Sequence, residues 1–368
     1  MRDLGKQNIL FFTRTMELGG TENVILQLCE TFKPLVNKIV VCSCGGVNEK
    51  KLKELNIKHY TIPDIENKNP SCILTVSWML KKIIKNENIT VVHTHHRMAA
   101  FYVAFLKIYK KCLFINTSHN TFDNKVKFTR YAYNHANLVA CGEMVKKNLV
   151  ETFGLPEKQV TVIHNAVKPF VDQIKVDPFI KQLHDEGFYV VGNIGRLSEQ
   201  KGMEYFINAI PTVKLCMSNV KFVIVGTGED EKKLKDLVRE LDLKDDCYFL
   251  GYRSDVQNLM SQLDLVVLSS LWEGLPLTPI EAFSVGKTIV ATAVDGTVEI
   301  INDKVNGLLI SPKNSNAISE GVISLLSNDF ERQNYEIAAK RTYEKEFSFS
   351  SFTYKYRDFY KEKIHEFK

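Results

Sequence analysis

Two doubly wound α/β domains are predicted for this chain, on three observations. Short apolar runs of strand size alternate with helix-like segments over almost the whole length. The alternation breaks at a polar, proline-punctuated stretch, 168–178, and then starts again. A length of 368 residues is also more than one hydrophobic core ordinarily organises.

In the first half the expected strands are 9–13, 39–43, 59–62, 91–94, 113–117, 138–140 and 160–164. Several are apolar throughout instead of alternating, as parallel strands covered on both faces should be. Segments 22–32 and 76–85 carry helical periodicity between them. In the second half strands are expected at 189–194, 221–225, 248–250, 265–268, 288–291 and 307–310. Between them, 231–241 places Leu234, Leu237, Val238 and Leu241 on one helical stripe with charges elsewhere. The tail, 347–368, holds Phe347, Phe349, Phe352, Tyr354, Tyr356, Phe359 and Tyr360, too much aromatic surface to leave in water. The expected organisation is a first domain over 1–167, a linker over 168–178, a second domain over 179–346, and a terminal helix over 347–368 that crosses back to the first domain.

Hydrophobic residues make up 45% and charged residues 25%, which excludes a disordered or fibrous chain. A net charge of +5 is too small to argue for nucleic acid, and none is expected as a partner. Its placement is uneven: Lys107, Lys110 and Lys111 cluster, as do Lys125, Lys127 and Arg130, followed by Lys146 and Lys147. Such a face suits an anionic membrane surface or an acidic substrate, and equally a solvated exterior. No run of about 18 apolar residues is present, so no spanning helix is expected. The start, 1–7, is polar, unlike a signal peptide. Six of the eight cysteines, Cys29, Cys72, Cys112, Cys141, Cys216 and Cys247, sit in apolar surroundings and read as buried thiols of a reducing compartment. The expected location is cytoplasmic, with peripheral contact at the inner membrane face.

Four segments carry chemistry. Gly195-Arg196-Leu197-Ser198-Glu199-Gln200-Lys201-Gly202 follows an expected strand and opens a helix. That places Arg196 and Lys201 at the C-terminal end of a parallel strand, where open α/β sheets bind ligands, and two cations beside a helix start suit a diphosphate. Leu271-Trp272-Glu273-Gly274-Leu275-Pro276-Leu277-Thr278-Pro279-Ile280-Glu281 frames an apolar turn with two carboxylates, costly to bury without partners and matched to pairs of sugar hydroxyls. Gly19-Gly20 ends the first strand's loop, and Ser118-His119-Asn120 ends another strand. Taken singly, each segment is also what ordinary strand-to-helix turns, solvated cations or a structural histidine would give.

Taken together, these segments resemble the retaining glycosyltransferases of family 4, which have the GT-B fold of two Rossmann-like domains facing each other across a cleft. The resemblance covers nearly the whole chain. It is densest from Gly192 to Ile310, and Gly19-Gly20-Thr21-Glu22, Ile163-His164-Asn165-Ala166-Val167 and His119 match weaker signatures of the first domain. It implies that Arg196 and Lys201 hold the diphosphate of a nucleotide-sugar donor, that Glu281 binds ribose and Glu273 the donor sugar, and that His119 lies beside the transferred sugar. It further implies that Gly19 and Gly20 approach the phosphates or the sugar, that Gly274, Leu275, Pro276 and Leu277 line the donor, and that Tyr252 and Arg253 line the base pocket. The implied reaction is retaining transfer of a hexosyl-type sugar, from a UDP-sugar before a GDP-sugar, to a glycan or lipid-linked glycan in cell-surface polysaccharide synthesis. No cofactor or metal is expected, since no D-x-D motif stands out and Arg196 and Lys201 supply positive charge. A sugar-nucleotide 2-epimerase and a non-catalytic nucleotide-sugar binder are the alternatives. The sequence departs from the family pattern at Asp295, where many relatives have glycine, and at Thr288, where proline is frequent.

Overall fold

The computed structural model describes residues 3–171 and 173–367. Met1, Arg2, Asp172 of the expected linker and Lys368 at the end of the expected tail lie outside the described residues. The chain forms two units and passes between them twice, at Asn165–Ala166 and at Phe349–Ser350.

The first unit is built on β1 (Asn8–Phe12), β2 (Lys38–Ser43), β3 (Lys58–Thr61), β4 (Val91–Thr94), β5 (Leu113–Ser118), β6 (Asn137–Ala140) and β7 (Val160–Val162). These strands pair in the order β3-β2-β1-β4-β5-β6-β7, all parallel. Every residue of β1, β4 and β5 is buried, because helices cover both faces; β1 accordingly reads as an apolar run from Ile9 to Phe12, while β4 and β5 begin apolar and end in the buried polar residues His93, Thr94, Asn116, Thr117 and Ser118. β3 lies at an edge and shows exposed or half-buried residues throughout. The strand order reverses between β1 and β4, so the loops following those two strands diverge and leave a crevice at their C-terminal ends.

The terminal helix, Phe349–Glu366, supplies part of this unit's core from Ser350 onward. Tyr360 stacks near Phe32, ring centroids 4.2 Å apart, and its hydroxyl meets His93 Nδ1 at 2.7 Å. Tyr356 brings its hydroxyl to 3.2 Å from Thr117 Oγ1. Phe352, Tyr356, Phe359 and Tyr360 are buried, each contributing roughly 1.5–3 kcal/mol by the usual apolar transfer scale. Tyr354 is the exception among the tail aromatics expected to dock: it is 71% exposed, on the helix face turned from the sheet.

The second unit holds β8 (Tyr189–Ile194), β9 (Val220–Val225), β10 (Cys247–Gly251), β11 (Leu265–Leu268), β12 (Ile289–Thr292) and β13 (Leu308–Ile310), in the parallel order β10-β9-β8-β11-β12-β13. Its reversal falls between β8 and β11. Phe206, Ile207, Ile210 and Val213 of helix Met203–Cys216 pack with Val322 and Leu325 of helix Ser315–Ser327 over one face of the sheet. The described residues of the stretch expected as a linker are tied into this unit: Lys175 N–H donates to Asn258, Asp177 N–H donates to Gln262, and Asp177 caps the helix that begins at Pro178.

No disulfide joins cysteines among the described residues. Cys216 corrects the expectation of burial. It is exposed, beside the 88%-exposed Leu215, because the last turn of its helix faces outward. No described helix is long and apolar enough to cross a membrane.

Candidate functional site

The second unit brings together, beside its strand-order reversal, the loops that follow β8 and β11. Thr278 Oγ1 reaches the carbonyl of Ile194 at 3.4 Å, and Leu271 N–H donates to the Gln200 carbonyl at 2.8 Å, so the two loops are fastened to each other. Gly202 turns the first loop with φ of +55°. A Cβ there would stand 2.4 Å from the Ser269 carbonyl oxygen, so only glycine permits this approach.

This fastening places Lys201 Nζ at 2.5 Å from Glu273 Oε1, with the Ser270 hydroxyl donating to the same oxygen at 2.7 Å. The Glu273 side chain is 7% exposed and that of Lys201 17%, so the ion pair is nearly dry and its geometry is fixed. Beneath it runs a chain of buried polar groups that the sequence reading passed over. Asn193 donates to Ser269 Oγ at 2.9 Å, Ser269 donates to the Lys201 carbonyl at 2.9 Å, and Thr292 donates to the Ser270 carbonyl at 2.6 Å. The available signal was small polar residues at the C-terminal ends of three adjacent strands: Asn193 of β8, Ser269 and Ser270 after β11, and Thr292 of β12. Glu273 Oε2 has no hydrogen-bond partner among the described residues and is not sealed from solvent.

Glu281, in helix Leu277–Ser284, faces the same region. Its half-buried carboxyl makes no side-chain hydrogen bond among the described residues. Desolvation pushes its pKa up to about 7, against the pull of the nearby Lys201 charge. A carboxyl kept short of partners beside a cation is what a site for hydroxyl donors requires. Gly274, Leu275 and Pro276 are buried ahead of the helix, Leu277 is half-buried, and no side chain caps the helix start.

Of the five charged groups singled out in this unit, Lys201, Glu273 and Glu281 converge. Arg196 is directed elsewhere: its Nε lies 3.1 Å from Glu229 Oε2, and the side chain is 72% exposed. Arg253 is also committed, pairing with Asp177 at 2.7 Å and with Asp255 at 2.8 Å. Tyr252 beside it is 55% exposed.

The loop after β12 closes on the Gly274 turn. Asp295 has φ of +21°, at the edge of the region that favours glycine, and this is the position where the family resemblance places glycine. A Cβ on Gly296 would stand 1.8 Å from the Gly274 carbonyl oxygen, with no flexible side chain to yield. Gly296→Ala is therefore expected to force the 273–277 turn away from its place. It should lower the melting temperature by several degrees, a cost of roughly 2 kcal/mol or more, and weaken any ligand of that turn; calorimetry with and without ligand checks both.

In the first unit, Gly19 is the N-cap of helix Gly20–Phe32, in extended conformation, and Gly20 is exposed at its first turn. His119 follows β5 and is half-buried; desolvation pushes its pKa down to about 4. Its Nε2 lies 3.1 Å from Nδ1 of His95, a neighbour the sequence reading missed. No group of three or more His, Cys, Asp or Glu side chains suited to a metal occurs among the described residues.

A family model described as glycosyl transferases group 1 matches residues 177–342, and one described as Glycosyltransferase Family 4 matches residues 18–169. An uncharacterized glycosyltransferase of Methanocaldococcus jannaschii is 30% identical over 279 residues, covering 69% of this chain and 71% of that protein. The Escherichia coli UDP-Gal:alpha-D-GlcNAc-diphosphoundecaprenol alpha-1,3-galactosyltransferase is 28% identical over 321 residues, 80% of this chain and 81% of its own. Among solved structures, a glycosyltransferase from Rickettsia africae superposes with a TM-score of 0.85 at 23% identity, over 97% of this chain and 99% of that one. The two Rossmann-like units are thus those of the GT-B fold.

Proposed function

This chain belongs to glycosyltransferase family 4, and from that premise we propose that it is a retaining, hexosyl-type transferase using a UDP-sugar in preference to a GDP-sugar. The observation that carries the reading is the convergence of Lys201, Glu273 and Glu281 beside the strand-order reversal of the second unit. Lys201 stands over the diphosphate, Glu273 accepts from sugar hydroxyls through Oε2, and Glu281 accepts from the ribose diol. Arg196 leaves Glu229 to share the diphosphate charge; an ion pair this exposed is screened by solvent and weak, so the swing is cheap. The turn Gly274-Leu275-Pro276-Leu277 lies along the donor. Tyr252 stacks on the base, and Arg253 holds the Tyr252 loop through Asp177 and Asp255. Gly19, Gly20 and His119 serve the transferred sugar and its phosphates from the first unit.

As the bond between the anomeric carbon and the diphosphate oxygen breaks, negative charge builds on the leaving group, and fixed cations stabilise it. The acceptor hydroxyl attacks from the same face and passes its proton to the departing phosphate oxygen, which keeps the anomeric configuration. Metal independence belongs to this reading, because Arg196 and Lys201 take the place a divalent ion would hold. A glycan or lipid-linked glycan of cell-surface polysaccharide synthesis is the proposed acceptor, supported by what the E. coli relative acts on. Thermal protection by a panel of nucleotide sugars, followed by incubation of the best one with lipid-linked glycans in chelator, tests the whole reading. Transfer with retained configuration is expected. Conversion of the donor alone into a stereoisomer would instead make the chain an epimerase.

Peripheral attachment at the cytoplasmic membrane face is part of the proposal. Lys107, Lys127 and Arg130 line a 420 Å³ pocket with Tyr109 and Tyr131, and the exposed Phe105 lies nearby in sequence. Cationic and aromatic groups together suit an anionic lipid surface. Vesicles of anionic phospholipid should carry the protein in flotation at low salt, and Lys107→Glu with Lys127→Glu should lose most of that binding. Equal flotation of the variant would exclude this face.

A further inference from the structure

Three imidazoles meet beneath the crevice of the first unit: His93 in β4, His95 immediately after it, and His119 immediately after β5. His93 is fully used, with Nδ1 at 2.7 Å from the Tyr360 hydroxyl and Nε2 at 2.8 Å from the Thr117 hydroxyl. His95 is held by its backbone N–H to the Phe12 carbonyl at 3.0 Å, and its Nδ1 lies 3.1 Å from His119 Nε2. The His95 and His119 ring centroids are 5.4 Å apart with 23° between planes, about what an in-plane N–H···N bond requires. His95 Nε2 is buried without a hydrogen-bond partner. His119 Nδ1 has no partner among the described residues and is not sealed from solvent.

A neutral imidazole carries one N–H, so the shared bond has two possible forms. In the first, His119 Nε2–H donates. His95 must then hold its proton on Nε2, an enclosed donor with no acceptor. In the second, His95 Nδ1–H donates, the enclosed Nε2 is a bare lone pair, and His119 must hold its proton on Nδ1. Enclosed donors without acceptors are the rarer defect, so the second form is favoured. Desolvation keeps both rings neutral, with His95 held well below its ordinary pKa and His119 at about 4.

We propose that His95 is a positioning residue that fixes His119 in the Nδ1–H tautomer, leaving the outward nitrogen of His119 as an obligate hydrogen-bond donor to a hydroxyl or phosphoryl oxygen of the substrate. The tautomer stands on this geometry alone, while the substrate rests on the nucleotide-sugar reading. An outward Nδ1–H cannot take a proton from an acceptor hydroxyl, so His119 orients and is not the general base.

Nitrogen-15 NMR of histidine side chains in the full chain tests this, with the His119 signals assigned by their loss in His119→Gln. Protonation on Nδ1 is expected in the wild type and in His95→Asn, whose amide nitrogen takes the place of Nδ1. His95→Asp, whose carboxylate can only accept, should move the His119 proton to Nε2, measured at alkaline pH so that the ring stays neutral, and lower kcat about tenfold with little change in KM for the sugar nucleotide, whereas His95→Asn should keep most of kcat. Protonation of His119 on Nε2 in the wild type overturns the proposal, as does a proton on Nδ1 in neutral His95→Asp. If His95→Asp fails to fold, the wild-type and His95→Asn spectra decide. A wild type that turns over no sugar nucleotide would count against the functional reading, and the spectra would still decide the tautomer.

Discussion

Arg196→Ala combined with Lys201→Ala is expected to lower kcat by at least ~10³-fold, since loss of a single preorganised charge-stabilising group costs about 10²–10³. Lys201 sets most of this effect: it is nearly buried, its Nζ is fixed by Glu273, and a fixed charge needs no reorganisation when the diphosphate leaves. Arg196 begins in an exposed pair with Glu229 and adds less. Removing Lys201 alone also strands a carboxylate that is 7% exposed, at a cost of about 3–5 kcal/mol of stability. Loss of activity must therefore be separated from loss of fold. Lys201→Met with Glu273→Gln removes both charges together and should melt within a few degrees of the wild type while remaining inactive. Near-normal transfer in the Arg196/Lys201 double variant would contradict the assignment of those two cations.

Donor affinity is expected to rise about tenfold from pH 6 to pH 8, and Glu281→Gln should flatten that profile and weaken binding at the upper end. The cause is the Glu281 carboxyl, which desolvation holds at about 7. In the proposed ribose site only its ionised form can accept from both hydroxyls. At pH 6 most molecules must release a proton to bind, and at pH 8 few must. Without ligand the sign for folding is opposite to that of an ion-paired carboxylate. The unfolded chain ionises this group near 4.5 while the folded chain keeps the proton, so stability falls as pH rises from about 4.5 towards 7. A sugar nucleotide is the right probe, because its diphosphate has no terminal phosphate to titrate in this range. A wild-type profile as flat as that of the variant would remove Glu281 from the ribose site.

The β1, β8 and β11 strands were legible because parallel strands covered on both faces are apolar at most positions; β4 shows only Val91 and Val92 before His93 and Thr94, and β4, β8 and β11 appear with the expected bounds. Helix Pro70–Asn86 was seen only from residue 76 on, since its first turns carry Cys72, Ile73 and Leu74 as one consecutive run, with Cys72 buried and Leu74 exposed, which gives no helical stripe. Lys201, Glu273 and Glu281 were legible as spacings after strands, but their partners were not. Ser270 and Asn193 are small polar residues like many others until the sheet brings β8 and β11 side by side. His95 is likewise ordinary in sequence, and only the pairing of β4 with β5 places it against His119. Arg196 shows the opposite: spacing identifies the residue but not the rotamer that turns it to Glu229.

Lys201, aided by Arg196, is proposed to hold a nucleotide's diphosphate. Calorimetric titration of uridine and of UDP into the wild type and into Arg196→Ala/Lys201→Ala tests it most directly. The diphosphate should improve wild-type binding by at least ~100-fold, the worth of two charge-assisted contacts, and the variant's by less than about tenfold, with uridine binding alike to both. The same large gain in wild type and variant would contradict the account.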